Sequence, residues 1–219
     1  MLSLVPAISG FSVRANKNCG PSDNADDCTG LVAFAHATAN STYPLPWKMD
    51  GTTSLCTWYG VTCDDKGRAT NLELAGEGLS GIFPTEVGLL TSMQVFELYE
   101  NKLSGTLPTQ VARLTALQEL PLADNHLSGT IPTEVGLLTA LTHLDLSFND
   151  WHSTLPTEVG RLTELDRLYA YTNAGVSGTM PSSICPLTTK GKLGDCELQQ
   201  VPFACPLPAC ADACKAVCK

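Results

Sequence analysis

The chain has 219 residues, of which 43% are hydrophobic and 16% charged, and its formal net charge at pH 7 is −9. This apolar content is ample for a core and excludes a disordered chain. The acidic balance argues against a nucleic-acid partner, which needs clustered Lys and Arg, and against an anionic membrane surface. It favours a cationic or neutral partner. The sequence contains no apolar stretch of about 20 residues, so we expect no transmembrane segment.

The first segment, residues 1–15, is mostly apolar. It lacks the basic residues that precede the apolar run of a secretory signal. We therefore interpret it as a leader remnant or as an apolar N-terminal arm that packs on the first cap or on a partner.

Residues 16–68 are predicted to form an N-terminal cap with short helices. A bridge between Cys19 and Cys28 would close a polar, turn-rich loop, and a helix is predicted from Leu31 to Thr38. Asn40 begins an Asn-Ser-Thr triplet, which predicts glycosylation at that residue. The loop aspartates Asp23, Asp26 and Asp27 lack the regular oxygen spacing of a calcium-binding loop, so a solvated loop is favoured over a calcium site.

Residues 69–187 repeat one pattern five times at a constant interval. The core positions that start each copy are Leu72, Phe96, Leu120, Leu144 and Leu168. A second apolar residue follows two positions later in each copy, which indicates a short strand with one buried face. One such strand cannot bury its apolar side chains alone, whereas stacked copies that pair in parallel can.

An asparagine recurs five positions after each of the last four core residues, at Asn101, Asn125, Asn149 and Asn173. Its amide offers two donors and one acceptor, so successive copies predict a ladder that satisfies backbone groups. Leu-Ser-Gly is then expected to turn the chain, and Ile-Pro or Leu-Pro to begin a second extended segment. Pro121 removes one donor from its strand, which predicts local weakening of the sheet.

The sequence Asn-x-Leu-Ser-Gly-x-Ile-Pro resembles the plant-type leucine-rich repeat family. The segment from Trp47 through Cys56-Thr-Trp-Tyr-Gly-Val-Thr-Cys63 resembles the N-terminal cap of the same family. The resemblance implies an α/β solenoid: a right-handed leucine-rich repeat superhelix with a parallel β-sheet on the concave face and disulfide-bonded N- and C-terminal caps. It also implies a Cys56–Cys63 bond. The chain departs from the pattern at Glu77, at Trp151, which replaces a leucine, and at an extra residue in 173–176.

Residues 188–219 are predicted to form a cysteine-rich C-terminal cap. The ten cysteines lie near the two ends of the chain: Cys19, Cys28, Cys56, Cys63, Cys185, Cys196, Cys205, Cys210, Cys214 and Cys218. Their even count predicts disulfides and therefore a secreted, extracellular protein or, alternatively, one in an oxidising organelle lumen. The pairing of the last six stays open. A metal site at the end of the chain is disfavoured, because no histidine joins these cysteines and their spacing is not Cys-x-x-Cys.

No motif for catalysis, a cofactor or a metal is present, so we expect a protein that is not an enzyme. Glu86, Glu134 and Glu158 recur at the interval of the repeat or its double, which favours a solvated row over an acid–base pair. Two columns of threonines also recur, 106/130/154/179 and 85/109/133/157. They suit extended backbone beside proline, and ice binding through such rows is the lesser alternative.

The side chains that alternate with the core leucines should point outward from the concave sheet. The predicted partner-binding residues are Glu73, Glu97, Tyr99, Glu100, Glu119, Asp124, His143, Asp145, Phe148, Trp151, Arg167, Tyr169 and Tyr171. Carboxylates predominate in the first four copies and aromatic residues toward the C-terminal half, a composition typical of recognition surfaces.

We therefore predict a non-enzymatic module that binds a protein or peptide on this acidic and aromatic face, and the charge of the face favours a cationic partner. By resemblance, short soluble plant-type members include inhibitors of wall-degrading glycosidases and peptide-recognising modules. The alternative is a structural accessory subunit of a larger assembly, docked through the solenoid and the N-terminal arm.

Overall fold

A computed structural model of the chain describes residues 17–39, 41, 44–152, 154–173, 175–189, 192–199, 201, 203–204 and 207–216. It confirms the predicted leucine-rich repeat solenoid with disulfide-bonded caps. The predictions for residues 1–15, Asn40, Cys205 and Cys218 lie outside the described residues. Within these ranges, none of the helices combines the length and apolarity that crossing a membrane requires.

In the described part of the chain, two sheets run along the solenoid. The larger sheet has the order β1 (Val61–Cys63), β2 (Ala69–Glu73), β4 (Val95–Glu97), β6 (Glu119–Pro121), β8 (His143–Asp145), β10 (Arg167–Tyr169) and β11 (Asp195–Glu197). The smaller sheet has the order β3 (Ser80–Ile82), β5 (Lys102–Gly105), β7 (His126–Gly129) and β9 (Asp150–Trp151). Strand β1 pairs antiparallel with β2, and the other recorded pairs are parallel.

The constant interval between copies fixes the register of the larger sheet. Leu72 pairs with Phe96, Leu120 with Leu144, and Leu144 with Leu168. Each of these side chains is at most 1% exposed. Strands β4 and β6 pair at one position, Val95 with Glu119. This weaker pairing is expected beside Pro121, which has no N–H to donate.

The smaller sheet corrects one expectation. Leu-Ser-Gly was predicted to form a turn, but in the second and third copies it lies in strands β5 and β7. The glycine in Leu-Ser-Gly is the reason that these three residues predicted a turn. Gly105 and Gly129 instead end these strands with φ of 74° and 78°, so the chain bends after the strand.

The asparagine ladder is confirmed. The Asn125 amide donates to the carbonyl oxygens of Leu98 (2.9 Å) and Leu122 (3.2 Å), and its oxygen accepts from the Leu103 N–H at 2.9 Å. Asn101 repeats this pattern one coil earlier. Because these groups are buried, each asparagine satisfies backbone that would otherwise lack partners.

The N-terminal cap covers the open end of the first coil. Its helix α1 (Ala25–Ala37) begins well before the predicted start, because the Asn24 side chain accepts from the N–H groups of Asp26 and Asp27. Phe34 packs against Phe83 and Phe96, with ring centroids 6.2 and 6.0 Å apart.

A buried ion pair ties α1 to the first repeat. Asp27, which is fully buried, accepts from Arg68 Nε at 2.7 Å and from the Ala69 N–H at 3.0 Å. Asp23 is also bound, since its carboxylate accepts from Ser54 Oγ and the Leu55 N–H. The prediction of a solvated loop is therefore wrong for Asp27, which is buried in α1, and both carboxylates have structural roles in the cap.

Disulfides close the two ends, and four of them lie among the described residues. The first two, Cys19–Cys28 and Cys56–Cys63, confirm the expected N-terminal pairs. In the C-terminal cap, Cys185 bonds Cys210 and Cys196 bonds Cys214. These bonds give the pairing of four of the last six cysteines, which the sequence left open. Because Cys210 and Cys214 are oxidised, they cannot bind a metal as thiolates.

Candidate functional site

The outward side chains of the larger sheet form two continuous rows, because its strands pair in register. One row is Asn71, Val95, Glu119, His143, Arg167 and Asp195. The other is Glu73, Glu97, Pro121, Asp145, Tyr169 and Glu197. Neighbours within a row are about 4.8 Å apart, so a ligand lying across the strands would contact several copies at once.

The N-terminal half of the surface is acidic. Glu73 faces Glu97 directly across the sheet, and Glu119 approaches from the next strand. Burial raises the pKa of Glu97, and the charges of Glu73 and Glu119 raise it further. Among the described residues, no cation forms an ion pair with Glu97, and the Asn71 amide donates to Glu73 at 2.8 Å. This half therefore has unneutralised negative charge.

A third row runs along the edge where each strand enters the asparagine turn. Its members share left-handed backbone, with φ of 56° at Glu100, 54° at Asp124, 49° at Phe148 and 56° at Thr172. The first copy has Gly76 there, with φ of 71°. A bulky aromatic residue is uncommon in this conformation. Phe148 nevertheless occupies it with its side chain 47% exposed.

His143 lies in the middle of the surface, between a carboxylate and a guanidinium. Its Nδ1 is 3.8 Å from Glu119 Oε2, too long for a hydrogen bond, and Arg167 Nη2 is 3.9 Å from Glu119 Oε1. Within the described residues, neither ring nitrogen of His143 has a hydrogen-bond partner. Burial lowers the pKa of His143, and the charge of Arg167 lowers it further, against the opposing charges of Asp145 and Glu119.

Four rings form a continuous chain in the C-terminal half. His143 meets Tyr169 with centroids 5.8 Å apart, Tyr169 meets Tyr171 at 6.4 Å, and Tyr171 meets Phe148 at 5.2 Å. The successive interplanar angles are 83°, 69° and 79°. Each ring therefore presents its edge to a neighbour's face, an arrangement that fixes the rings relative to one another.

The C-terminal cap adds charged residues that the sequence prediction missed. The Tyr169 hydroxyl donates to Asp195 Oδ2 at 2.6 Å, and Glu197 forms an ion pair with Lys215. Burial, with the hydrogen bond to Asp195, raises the pKa of Tyr169 to about 12. Burial also raises the pKa of Tyr171, and the charges of Asp145 and Glu197 raise it further.

A signal for this extra strand exists in the sequence. The segment Leu193-Gly-Asp-Cys196-Glu-Leu198 repeats the spacing of Leu165-Asp-Arg-Leu168-Tyr-Ala170, with cysteine at the core position. Cys196 and Leu198 are 4% and 0% exposed, as this spacing requires. The match was missed because the segment follows its predecessor at a longer interval than the one that separates the other copies.

Trp151 was predicted to join the partner-binding surface, and this prediction is wrong. Its side chain is 0% exposed in strand β9. It occupies the core position that Leu103 and Leu127 hold in the preceding copies, so the larger ring fills the interior. Tyr99, Glu100 and Asp124 do lie on the concave side, as do the other predicted residues in the rows above.

The threonine columns lie on another face of the solenoid. Thr106, Thr130, Thr154 and Thr179 are exposed. A β-carbon at Gly129 would lie only 2.6 Å from Thr106 Cγ2, and one at Gly178 only 2.5 Å from Thr154 Cγ2. Each of these two threonine methyl groups therefore packs on a glycine of the next coil. A groove of about 620 Å³ runs between the two columns.

Glu134 and Glu158 of the predicted glutamate row line this groove. Thr85, Thr133 and Thr157 each donate their hydroxyl to the glutamate that follows, at 3.2, 3.2 and 3.1 Å. Each carboxylate thus has a local donor of its own, and no two of them share a proton. This arrangement agrees with a solvated row.

The fold, with its caps and outward rows, defines a leucine-rich repeat solenoid, the class of protein that the structure establishes. Residues 24–64 match the leucine rich repeat N-terminal domain family. The chain is 47% identical to Leucine-rich repeat protein 1 of Oryza sativa subsp. indica over an aligned stretch of 45 residues. This stretch covers 20% of this chain and 21% of that protein. The match thus spans about a fifth of that relative's length.

Solved structures extend the likeness to most of the chain. A plant ice-binding protein is similar with a TM-score of 0.73 and 29% identity, over 83% of this chain and 58% of that one. A chain in the BIR3–SERK2 complex from Arabidopsis thaliana has a TM-score of 0.63 and 28% identity, over 84% of this chain and 98% of that one. Together these likenesses support a plant-type leucine-rich repeat protein.

Proposed function

We propose that this chain is a non-enzymatic recognition module that binds a cationic protein or peptide on its concave face, outside the cell or in an oxidising lumen. The observation that carries the proposal is the in-register array of unneutralised carboxylates beside the chain of half-buried aromatic rings that ends at the exposed Phe148. Side chains about 4.8 Å apart within each row offer an extended chain or a protein edge contacts from consecutive strands.

Two further observations support this proposal. The similar chain in the BIR3–SERK2 structure is part of a complex between proteins. The disulfides of both caps suit an oxidising compartment. For the surface itself, partners with a basic patch would gain from attraction that speeds association at low salt.

The test is a double charge reversal. Glu97→Lys with Asp145→Lys replaces one carboxylate in each half of the surface, and affinity capture from the native source is followed by mass spectrometry. We expect the partners captured by the wild-type protein to be lost, because two attractions become repulsions.

The matched control is Glu86→Lys with Glu134→Lys, two reversals on the outer glutamate row. This variant has the same net charge and should capture the wild-type set of partners. Thermal unfolding of both variants checks that they fold. Unchanged capture by the concave variant would contradict the proposal, and a partner that co-purifies at fixed stoichiometry with every variant would indicate an accessory subunit instead.

Ice binding is the second candidate function, and it is favoured by the threonine column. The methyl groups of Thr106 and Thr154, which lie two coils apart, are held against glycines of the next coil, so these two side chains have a fixed orientation. Adjacent members of the column lie about 4.8 Å apart. The structural likeness to a plant ice-binding protein agrees with this. The carboxylates of Glu134 and Glu158 at the bordering groove count against it, because charges hold liquid-like water.

Thermal hysteresis and ice recrystallisation assays test this candidate. If the threonine column binds ice, the wild-type protein gives measurable hysteresis and Thr130→Tyr abolishes it, since a bulky ring breaks the plane of the row. The concave charge-reversal variant should keep the activity. The absence of hysteresis in the wild-type protein would rule the candidate out.

A further inference from the structure

The aromatic rings and the acidic residues meet at one place on the concave face. Tyr169 is the last residue of β10, Tyr171 follows two positions later in the same coil, and Phe148 lies at the rim of the preceding coil. Tyr171 is nearly perpendicular to both neighbours, at 69° to Tyr169 and 79° to Phe148. The three rings therefore form walls of different orientation around a common corner of the surface.

Carboxylates surround this corner. Asp145 pairs with Tyr169 in the register of the sheet, and Glu197 follows Tyr169 on the other side. The Asp145 carboxylate accepts the Ser147 N–H at 2.9 Å, and within the described residues it has no ion pair. Glu197 is paired with Lys215, and Arg167 faces Glu119 and Asp195. In this described part of the surface four carboxylates face two cations, so negative charge remains uncompensated.

We propose that this corner, formed by Phe148, Tyr169, Tyr171 and Asp145, is a subsite for a basic side chain, lysine or arginine, of the bound protein or peptide. The inference rests on the proposed function and specifies which group of the partner is recognised and where. Ring faces attract a cation through their quadrupoles, most strongly when several rings surround it and a carboxylate lies nearby. A neutral apolar side chain would gain the ring contacts but not the charge.

The titration of the two tyrosines agrees with a negative potential at this corner. Burial is the largest cause that raises the pKa of both tyrosines, to about 12 at Tyr169. The negative potential is seen in the further causes, since the charges of Asp195 and Glu197 raise the pKa of Tyr169 and those of Asp145 and Glu197 raise the pKa of Tyr171. The same field that disfavours a phenolate favours a bound ammonium or guanidinium group. The exposed Phe148 ring is then the wall at the rim that an entering side chain meets first.

The test uses three small probes with the intact protein: N-acetyl-lysine methylamide, N-acetyl-arginine methylamide and the neutral N-acetyl-norleucine methylamide. Proton NMR follows the probe's side-chain methylene signals and the protein's aromatic signals. We expect saturable upfield shifts of the methylenes next to the charged group, with a dissociation constant on the order of 10 mM for the basic probes. The norleucine probe should bind at least about fivefold more weakly.

Three variants locate the effect. Tyr171→Leu and Asp145→Asn should each weaken binding of the lysine probe by about fivefold or more. Tyr59→Leu is the control, because Tyr59 is a tyrosine bonded to a carboxylate, Glu77, as Tyr169 is to Asp195, but it lies in the N-terminal cap. That variant should bind the probe as the wild-type protein does.

Two results would overturn the inference: no saturable shift with either basic probe at concentrations up to about 100 mM, or an equal response to norleucine. Failure of the subsite differs from failure of the proposed function. If the charge-reversal variant loses its partners but the basic probes do not bind, recognition by the concave surface is supported and the subsite is excluded. If the probes bind and capture survives the reversal, which removes Asp145 from the corner, the corner binds basic groups but the partner does not use it, and the proposed function is excluded.

Discussion

Single residues on the concave face combine good binding chemistry with poor local stability. Phe148 holds left-handed backbone, which a β-carbon disfavours, and exposes 47% of an apolar side chain. The same position in other copies holds Gly76 and Asp124, which adopt this conformation more readily. A less suitable residue at an exposed position is expected where binding, not folding, determines the choice.

Phe148→Asn and Phe148→Ala separate these two effects. Both variants remove the ring, but asparagine tolerates the left-handed conformation better than alanine does. We expect Phe148→Asn to have a free energy of unfolding about 1 kcal/mol higher than Phe148→Ala, measured by urea unfolding. Both should bind the lysine probe more weakly than the wild-type protein. Equal stability of the two variants would show that the backbone at this position is unstrained.

Glu97 should make stability depend on pH. Its pKa is raised in the folded protein, so the folded state binds the proton more tightly than the unfolded chain does. The wild-type protein therefore loses stability as the pH rises from the unfolded pKa through the raised folded pKa. Glu97→Gln does not titrate and should be more stable than wild type at pH 7, by about 0.2–1 kcal/mol.

Thermal unfolding of Glu97→Gln across pH checks this expectation. The gain at pH 7 should disappear at about pH 3, where the wild-type carboxyl is protonated in both states. Asp212→Asn, which removes an exposed carboxylate of the C-terminal cap, is the control and should give no gain. If the difference between Glu97→Gln and wild type stays constant with pH, the raised pKa of Glu97 is not its cause.

At the scale of elements, the asparagine ladder holds consecutive coils together. Asn125 contributes to three buried backbone contacts that span two coils. Asn125→Ala leaves these groups without partners and should lower the free energy of unfolding by about 3–5 kcal/mol. Asn71→Ala removes an amide that, among the described residues, donates to the Glu73 side chain, and it should change the free energy of unfolding by less than about 0.5 kcal/mol.

Denaturant unfolding of the two asparagine variants measures this difference. A solenoid unfolds through neighbouring coils, so the loss in Asn125→Ala should also broaden the transition. Similar stabilities for the two variants would mean that the ladder is not what couples the coils.

The elements that the sequence predicted well are those with a strict period. Leu72, Leu120 and Leu144 recur in phase with the repeat, so their strands, register and burial followed from spacing alone. The asparagine ladder followed for the same reason. What was missed departs from the period. Strand β11 follows β10 at a longer interval than β10 follows β8, and Trp151 breaks the repeat at a position whose burial depends on the coils above and below.

The site was predictable to the same extent. Alternation within each strand indicated the outward side for Glu97, Asp145 and Tyr169. It could not show that Tyr169 reaches Asp195, because the C-terminal cap, with its own spacing, brings that residue beside the sheet. Nor could it show that rings from two coils meet at one corner, since ring orientation depends on packing.

At the scale of the whole molecule, one face should carry recognition and the others should not. The net charge of −9 makes long-range attraction to a basic partner sensitive to salt. The ordered rows then select among basic partners by matching side-chain spacing to the strands. Capture should therefore weaken when the salt concentration is raised, and its loss should follow substitutions on the concave side alone.

Site-specific photo-cross-linking tests this central claim most directly. Benzoylphenylalanine is placed on the concave face at Tyr99 or Tyr171, or on the outer face at Leu137, which is 47% exposed. After irradiation with the captured partner, we expect covalent adducts from positions 99 and 171 and none from position 137. Adducts formed from position 137 alone would contradict recognition by the concave face.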